Sequence, residues 1–338
     1  MSDLIREPLR LFTLKGNYPP ITHISISPDE QMFVCIGRGE NKNESTLCLF
    51  NPKTGKTLGK FDPVENHFTS LRWSKDGTRA YLTSKDGNIW FLTRNDIDIE
   101  ITSNLFRSAK NGESHLTVLQ NDLVAFVTDT GLVRVLEWTG TTHKIVYESR
   151  RNNTPFSGIV ANPNSPTFIA ISWRDYQLFG YSSNDIHPKW GSGKLETHAE
   201  RIFQCGWTPN GTLLFLEKNK ITLIAPTRNS RIICYSHRVE YSHLVVVDDE
   251  TILLSTKNPN YVLVVQIPDG NILCDISGFN NPVEHMCLYG NGRYLATSTS
   301  NKIPFESLGQ GGHPVQIFDF GSENIGRGNT PFIRELPV

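Results

Sequence analysis

Seven times in 338 residues an apolar stretch runs into a turn marked by Asp or Asn and emerges into a second apolar stretch. The marking residues are Asp29, Asp76, Asp122, Asn164, Asn210, Asp249 and Asn291, separated in turn by 47, 46, 42, 46, 39 and 42 positions. Asp and Asn suit such places because their side chains bond nearby backbone amides and tolerate left-handed backbone; Gly77, Gly211 and Gly292 stand directly behind three of them. A repeat of this length, built from strand-turn-strand units and not from helices, specifies an all-β fold: a seven-bladed β-propeller with four-stranded antiparallel blades.

Aligned on these turns, the units share one template. The first strand is short and alternating (ITHISIS, FTSLRWS, IFQCGWT, VEHMCLY) and the second more uniformly apolar (QMFVCIG, LVAFVT, TILLST). The third follows another turn (TLCLF, LVRVLEW, YVLVVQI), and a fourth is legible as KTLGKF, IDIEIT, HKIVYES, RIICYS and NILCDIS. Unbroken apolar character in the second strand is what burial on both faces requires. Blades are expected over 19–65, 66–113, 114–154, 155–200, 201–241, 242–281 and 282–320, with 321–338 as a C-terminal tail. The last of them reaches only a third strand, VQIFDF at 315–320. LRLFTLKG, residues 9–16, alternates and is expected to supply the missing outer strand, closing the ring and removing an open edge; PFIRELPV at the C-terminus is the alternative.

Composition excludes several function classes. With 33 basic and 34 acidic residues and a net charge of -1, the chain has no global field for nucleic acid or an anionic membrane. No apolar run approaches the roughly 18 residues of a membrane helix, and MSDLIREPLR lacks the apolar core of a signal peptide, so a soluble cytoplasmic or nuclear chain is expected. The six cysteines show no C-x-x-C spacing and sit in strand-like contexts, which reads as buried reduced thiols without metal.

ITHISISPDE, FTSLRWSKDG and IFQCGWTPNG resemble the first strand and turn of the WD-repeat family of seven-bladed propellers, and FNPKTGK and FDFGS resemble the end of its third strand. The resemblance covers nearly the whole chain. Phe50-Asn51 and Phe318-Asp319 stand where that family typically has Trp-Asp, and His67, His115 and His198 stand near the place of its Gly-His pair. The resemblance implies a buried His, Asp, Ser and Trp hydrogen-bond network and a function in organising other proteins.

Function in such a ring belongs to the turns, because the strands must pack. Two connections between second and third strands are much longer than the rest: RGENKNEST at 38–46 in blade one and NKIPFESLGQGGHP at 301–314 in blade seven. Closure would make these blades neighbours, so both insertions are expected to project from one sector, where Phe305 and Leu308 have no strand to serve. Arg38, Lys42, Lys85, Arg174, Lys218, Lys220, Lys257 and Lys302 place basic residues at six of the seven corresponding corners, though Glu40, Glu44, Asp86, Asp175 and Glu217 lie beside them.

The leading expectation is a non-catalytic scaffold that binds other proteins, as a subunit of a complex, through Arg38, Lys42, Arg174, Lys218, Lys302, Phe305, Leu308 and His313. No cofactor, metal, nucleic-acid or membrane partner is expected. The alternatives are a lactonase- or lyase-type enzyme with Arg174, Asp175 and His313 at the channel mouth, and a reader of acidic or phosphorylated peptides on the basic ring. No G-x-S-x-G, H-E-x-x-H or phosphate-binding glycine loop occurs to support catalysis.

Overall fold

The structure, a computed structural model, describes residues 9–13, 21–38, 44–64, 67–94, 99–107, 114–140, 142–150, 155–172, 178–182, 185–191, 202, 204–224, 232–236, 238–279, 281–299 and 315–320. Among them there are strands and no helix. After β1 (Leu9–Thr13) the chain makes six consecutive four-stranded antiparallel meanders. The first is β2 (Ile21–Ile26), β3 (Phe33–Arg38), β4 (Ser45–Phe50) and β5 (Thr57–Val64), and the second β6 (Phe68–Trp73), β7 (Arg79–Ser84), β8 (Asn88–Arg94) and β9 (Ile99–Arg107). The third is β10 (Ser114–Val118), β11 (Val124–Thr128), β12 (Leu132–Trp138) and β13 (His143–Arg150), and the fourth β14 (Phe156–Ala161), β15 (Thr167–Ser172), β16 (Leu178–Ser182) and β17 (Asp185–Gly191). The fifth is β18 (Gln204–Trp207), β19 (Leu213–Leu216), β20 (Lys220–Ile224) and β21 (Ile232–Ser236), and the sixth β22 (Glu240–Val246), β23 (Thr251–Lys257), β24 (Val262–Gln266) and β25 (Ile272–Ile276).

The seventh sheet contains β26 (Val283–Tyr289), β27 (Tyr294–Thr299) and β28 (Val315–Asp319), and its fourth strand is β1. β1 runs antiparallel to β28, with Leu9 opposite Asp319 and Thr13 opposite Gln316. PFIRELPV lies outside the described residues. Strand β17, DIHPKWG, has no counterpart in the sequence reading. Its Pro188 argues against a central strand, but β17 is an outer strand, where a missing amide donor is tolerated.

The period-2 pattern of the second strands becomes packing against two neighbours. In β3, Phe33 and Cys35 join a cluster with Tyr289, Ala296, Val315 and Ile317 of the seventh sheet. The alternate residues Val34 and Ile36 pack on Phe68, Leu71, Ala80 and Leu82 of the second. Equivalent clusters fill the contacts between sheets two and three, three and four, four and five, five and six, and six and seven. Each second strand is therefore buried on both faces, as β11 is along its whole length.

The marked turns of units one, two and five share one local arrangement. In the second unit Ser74 Oγ donates to Asp76 Oδ1 at 2.6 Å and Asp76 accepts the Thr78 amide at 3.0 Å, while Gly77 takes φ 70°. Burial alone would raise the Asp76 carboxyl, but the hydrogen bonds from Ser74 and Thr78 outweigh it and hold it below its ordinary range. Ser27 with Asp29 and Thr208 with Asn210 repeat the arrangement, with Glu30 at φ 55° and Gly211 at φ 87° behind them. The third unit differs by one residue. Asp122 itself takes the left-handed position at φ 60° and donates its amide to the Leu119 carbonyl, so Asn121 stands where Asp76 does.

These turns are also tied from sheet to sheet. Asp122 Oδ1 accepts the Lys75 amide at 3.1 Å, Asp249 Oδ1 accepts the Asn210 amide at 2.6 Å, and the Asn164 side chain donates to the Pro209 carbonyl. Glu30 Oε1 accepts the Gly290 amide at 2.7 Å, tying the first sheet to the seventh. Ser74 is buried, and its hydroxyl both donates to Asp76 and accepts the Arg79 amide at 3.0 Å. Ser74→Ala is therefore expected to cost about 1–3 kcal/mol by leaving the Arg79 amide without this acceptor, measurable by urea denaturation.

Candidate functional site

The first strand of each sheet packs on the first strand of the next, and β26 packs on β2. Five of these strands carry a register irregularity near their start, at Thr22, Thr69, Ser157, Ser242 and Glu284. A bulge re-aims the side chain that follows it. The first residues back in register are His23, Ser70, Gly158, His243 and His285. Counted back from the turns, His115 in β10 and Gln204 in β18 occupy the same place.

The seven equivalent positions thus hold four histidines, and three of them come together. The rings of His243 and His285 lie 4.2 Å apart between centroids, and those of His23 and His285 5.3 Å apart. Nδ1 of His243 and Nδ1 of His285 are buried without a hydrogen-bond partner. His23 meets Thr22 Oγ1 at 3.2 Å and bonds the Thr69 backbone of the second sheet. Other positions bind sheet to sheet. Gln204 clamps the Leu244 carbonyl and amide, each at 2.8 Å, and Ser242 Oγ donates to the Val283 carbonyl at 2.8 Å.

Arg72, two residues beyond Ser70, belongs to the same surroundings. Burial lowers its affinity for its proton, and the thiols of Cys205 and Cys287, from sheets five and seven, lie close enough to act against that shift. By accessible surface the Arg72 side chain is exposed. Its Nη1 donates to the Leu71 carbonyl at 2.8 Å, and among the described residues no carboxylate pairs with it.

Burial and then the Arg72 charge push His23 down to about 4, and burial followed by His23 and Arg72 pushes His243 down to about 3. His285 falls well below its ordinary value through burial, then His243, His23 and Arg72. On the rim, burial and then Arg79 push His143 down to about 4. These imidazoles are neutral in the folded protein near pH 7. No group of three His, Cys, Asp or Glu side chains among the described residues is arranged to hold a metal ion.

The sign of the pH dependence follows. Unfolded histidines take up protons near pH 6.5 while these folded ones do not, so the unfolded chain binds more protons between that pH and about 4. The stabilisation is complete above about pH 6.5 and is lost as pH falls toward 4. The urea midpoint is expected to drop across that window, before carboxylates such as Asp29 and Asp76 titrate; a flat profile would contradict it.

Of the binding residues expected from sequence, Arg38 lies at the exposed end of β3 and Lys218 at the turn before β20. Lys42, Arg174, Lys302, Phe305, Leu308 and His313 lie outside the described residues, as does Asp175. Lys218 and Lys257 approach Glu240 at 4.0 and 3.7 Å, and Lys220 approaches Glu217 at 3.7 Å. The two exposed pairs with Glu240 contribute little stability, and together with the buried Glu217 they locally offset the basic ring.

The implied His, Asp, Ser and Trp network is partly assembled in the second sheet. Trp90 Nε1 donates to Ser84 Oγ at 3.1 Å, Ser84 Oγ donates to Asp86, and the His67 carbonyl accepts the Lys85 amide at 2.8 Å. The inner histidines His23, His243 and His285 are not among the site residues expected from sequence. Their signal is positional: His23, His243 and His285 each stand six residues before Asp29, Asp249 and Asn291 (29 − 23, 249 − 243, 291 − 285). His115 stands six before Asn121 (121 − 115), the turn residue the structure assigns to that unit.

No protein-family model matches this sequence, and no curated protein matches it. Solved structures match in shape. Raptor of Chaetomium thermophilum superposes with TM-score 0.75 at 16% identity over 96% of this chain and 30% of its own, so this chain spans under a third of that protein. The β-propeller domain of Cps50 (Swd1) from Myceliophteria thermophila gives TM-score 0.70 at 11% identity, covering 92% of this chain and 99% of that one. The WD40 repeats of RRP9 give 0.73 at 11% identity, covering 93% and 99%. At these identities the likeness is one of fold, and the fold is that of a WD40-type β-propeller.

Proposed function

We propose that the protein is a non-catalytic interaction scaffold of the cytoplasm, a subunit of a protein complex, whose seven sheets close into a seven-bladed ring through β1. Its WD40-type neighbours support a protein-interaction scaffold in general terms. The observation that carries the finer reading is the packing of the first and seventh sheets through Phe33, Cys48, Tyr289 and Val315. The two long connections leave from these sheets, after Arg38 of β3 and after Thr299 of β27. They form one partner-binding sector, with Arg38 and Lys42 from one connection and Lys302, Phe305, Leu308 and His313 from the other. A rigid scaffold contributes to affinity by lowering the ordering cost of binding. The carboxylates beside Lys218, Lys220 and Lys257 favour this reading over an acidic-peptide reader.

The test is a chain lacking residues 303–312, purified from its native source. It is expected to keep the wild-type circular dichroism and melting temperature and to lose the protein that co-purifies with the intact chain. Undiminished recovery of that protein would overturn the sector.

A further inference from the structure

We propose that two copies of this chain pair through β13, the outer strand of the third sheet, as an antiparallel twofold dimer centred on Val146. This goes beyond the scaffold reading and uses a different part of the molecule. β13 carries two of the three large apolar side chains exposed among the described residues, Ile145 at 39% and Val146 at 41%. A bulge brings them out together. Ile145 lies opposite Leu136 and Tyr147 opposite Val135, so Val146 is the inserted residue, and Lys144, Ile145 and Val146 stand exposed in a row between the buried His143 and Tyr147. β13 bonds β12 on one side and no described strand on the other, which leaves backbone donors and acceptors along its edge.

Charge complementarity identifies the occupant as a second copy. Lys144 and Glu148 lie two residues before and two residues after Val146, so in the twofold pairing each lysine faces the glutamate of the other copy, and the contact is made twice. Opposite charges directly across a strand pair are favourable and like charges unfavourable. Both groups are placed for it. Among the described residues Lys144 makes no ion pair, and Glu148, its side chain 46% exposed, meets Arg134 through Oε2 alone. The register is specific. Centring the pair one residue later, on Tyr147, would set Lys144 against Arg150, and centring it on Ile145 would set Lys144 against Val146. Outer strand β5 gives the contrast: around Leu58, the third exposed apolar residue, the same arrangement would set Lys56 against Lys60.

Sedimentation velocity of the full chain over a concentration series tests this. A reversible dimer is expected, with a Kd of about 100 μM or tighter for so small an interface. Lys144→Glu and Glu148→Lys each set like charges opposite at both contacts and are expected to weaken self-association about tenfold or more. Mixed, the two variants face each other with opposite charges at both contacts, so a one-to-one heterodimer is expected near the wild-type Kd. A wild type that stays monomeric at about ten times that Kd, a dimer indifferent to both substitutions, or a mixture no tighter than its separate components would each overturn the proposal. Should either variant fail to fold, Val146→Cys decides: a short bis-maleimide is expected to join two chains through residue 146, identified by peptide mass, and absence of that link overturns the pairing. The 303–312 deletion leaves β13 intact, so this dimer and the partner sector fall separately.

Discussion

A chain beginning at residue 14 is expected to be about 3–5 kcal/mol less stable than the full chain and to aggregate on heating. The estimate rests on the β1–β28 ladder, in which Leu9, Arg10, Phe12 and Thr13 pair with Asp319, Phe318, Ile317 and Gln316, at about 1 kcal/mol for each backbone hydrogen bond lost. The aggregation follows from topology. Without β1, strand β28 becomes an unpaired edge, and its Phe318 and Ile317 belong to buried clusters that would be partly uncovered. The comparison is a urea melt of both chains, with light scattering on heating. Unchanged stability would mean that another segment, PFIRELPV being the sequence's own alternative, takes the outer position.

Phe33→Ala is expected to cost about 3–5 kcal/mol, the range for emptying a fully buried aromatic site. Phe33 has no accessible surface and stacks edge-to-face on Tyr289, with centroids 5.2 Å apart and planes at 89°. Its ring therefore joins the first sheet to the seventh. Denaturant unfolding of the variant reads the loss, and a cost below about 1 kcal/mol would mean that the two sheets do not share a packed core. Because β1 and Phe33 act on the same junction, the two losses should not add.

The fold was legible because burial imposes it in two simple ways. Uniformly apolar second strands such as VAFVT need neighbours on both faces, and the Asp or Asn turns need only local hydrogen bonds, so both could be seen without long-range information. Pro188 concealed β17, since an outer strand tolerates what a central strand does not. Asp122 misled by one residue because its side chain tolerates the left-handed position that Gly takes in other units. The inner site was harder to read. Thr22-His23, Ser242-His243 and Glu284-His285 look like ordinary alternation, and only the shared bulge and the stacking of sheets six, seven and one bring those rings together.

The central claim is that one partner is held by the sector shared between sheets one and seven. It is tested most directly by placing a photo-crosslinking amino acid, in separate chains, at Lys42, at Phe305 and at Leu58, an exposed residue of the outer strand β5. The account predicts that the same protein is captured from positions 42 and 305 and is not captured from 58. Capture from 58 alone, or of different proteins from 42 and 305, would contradict it.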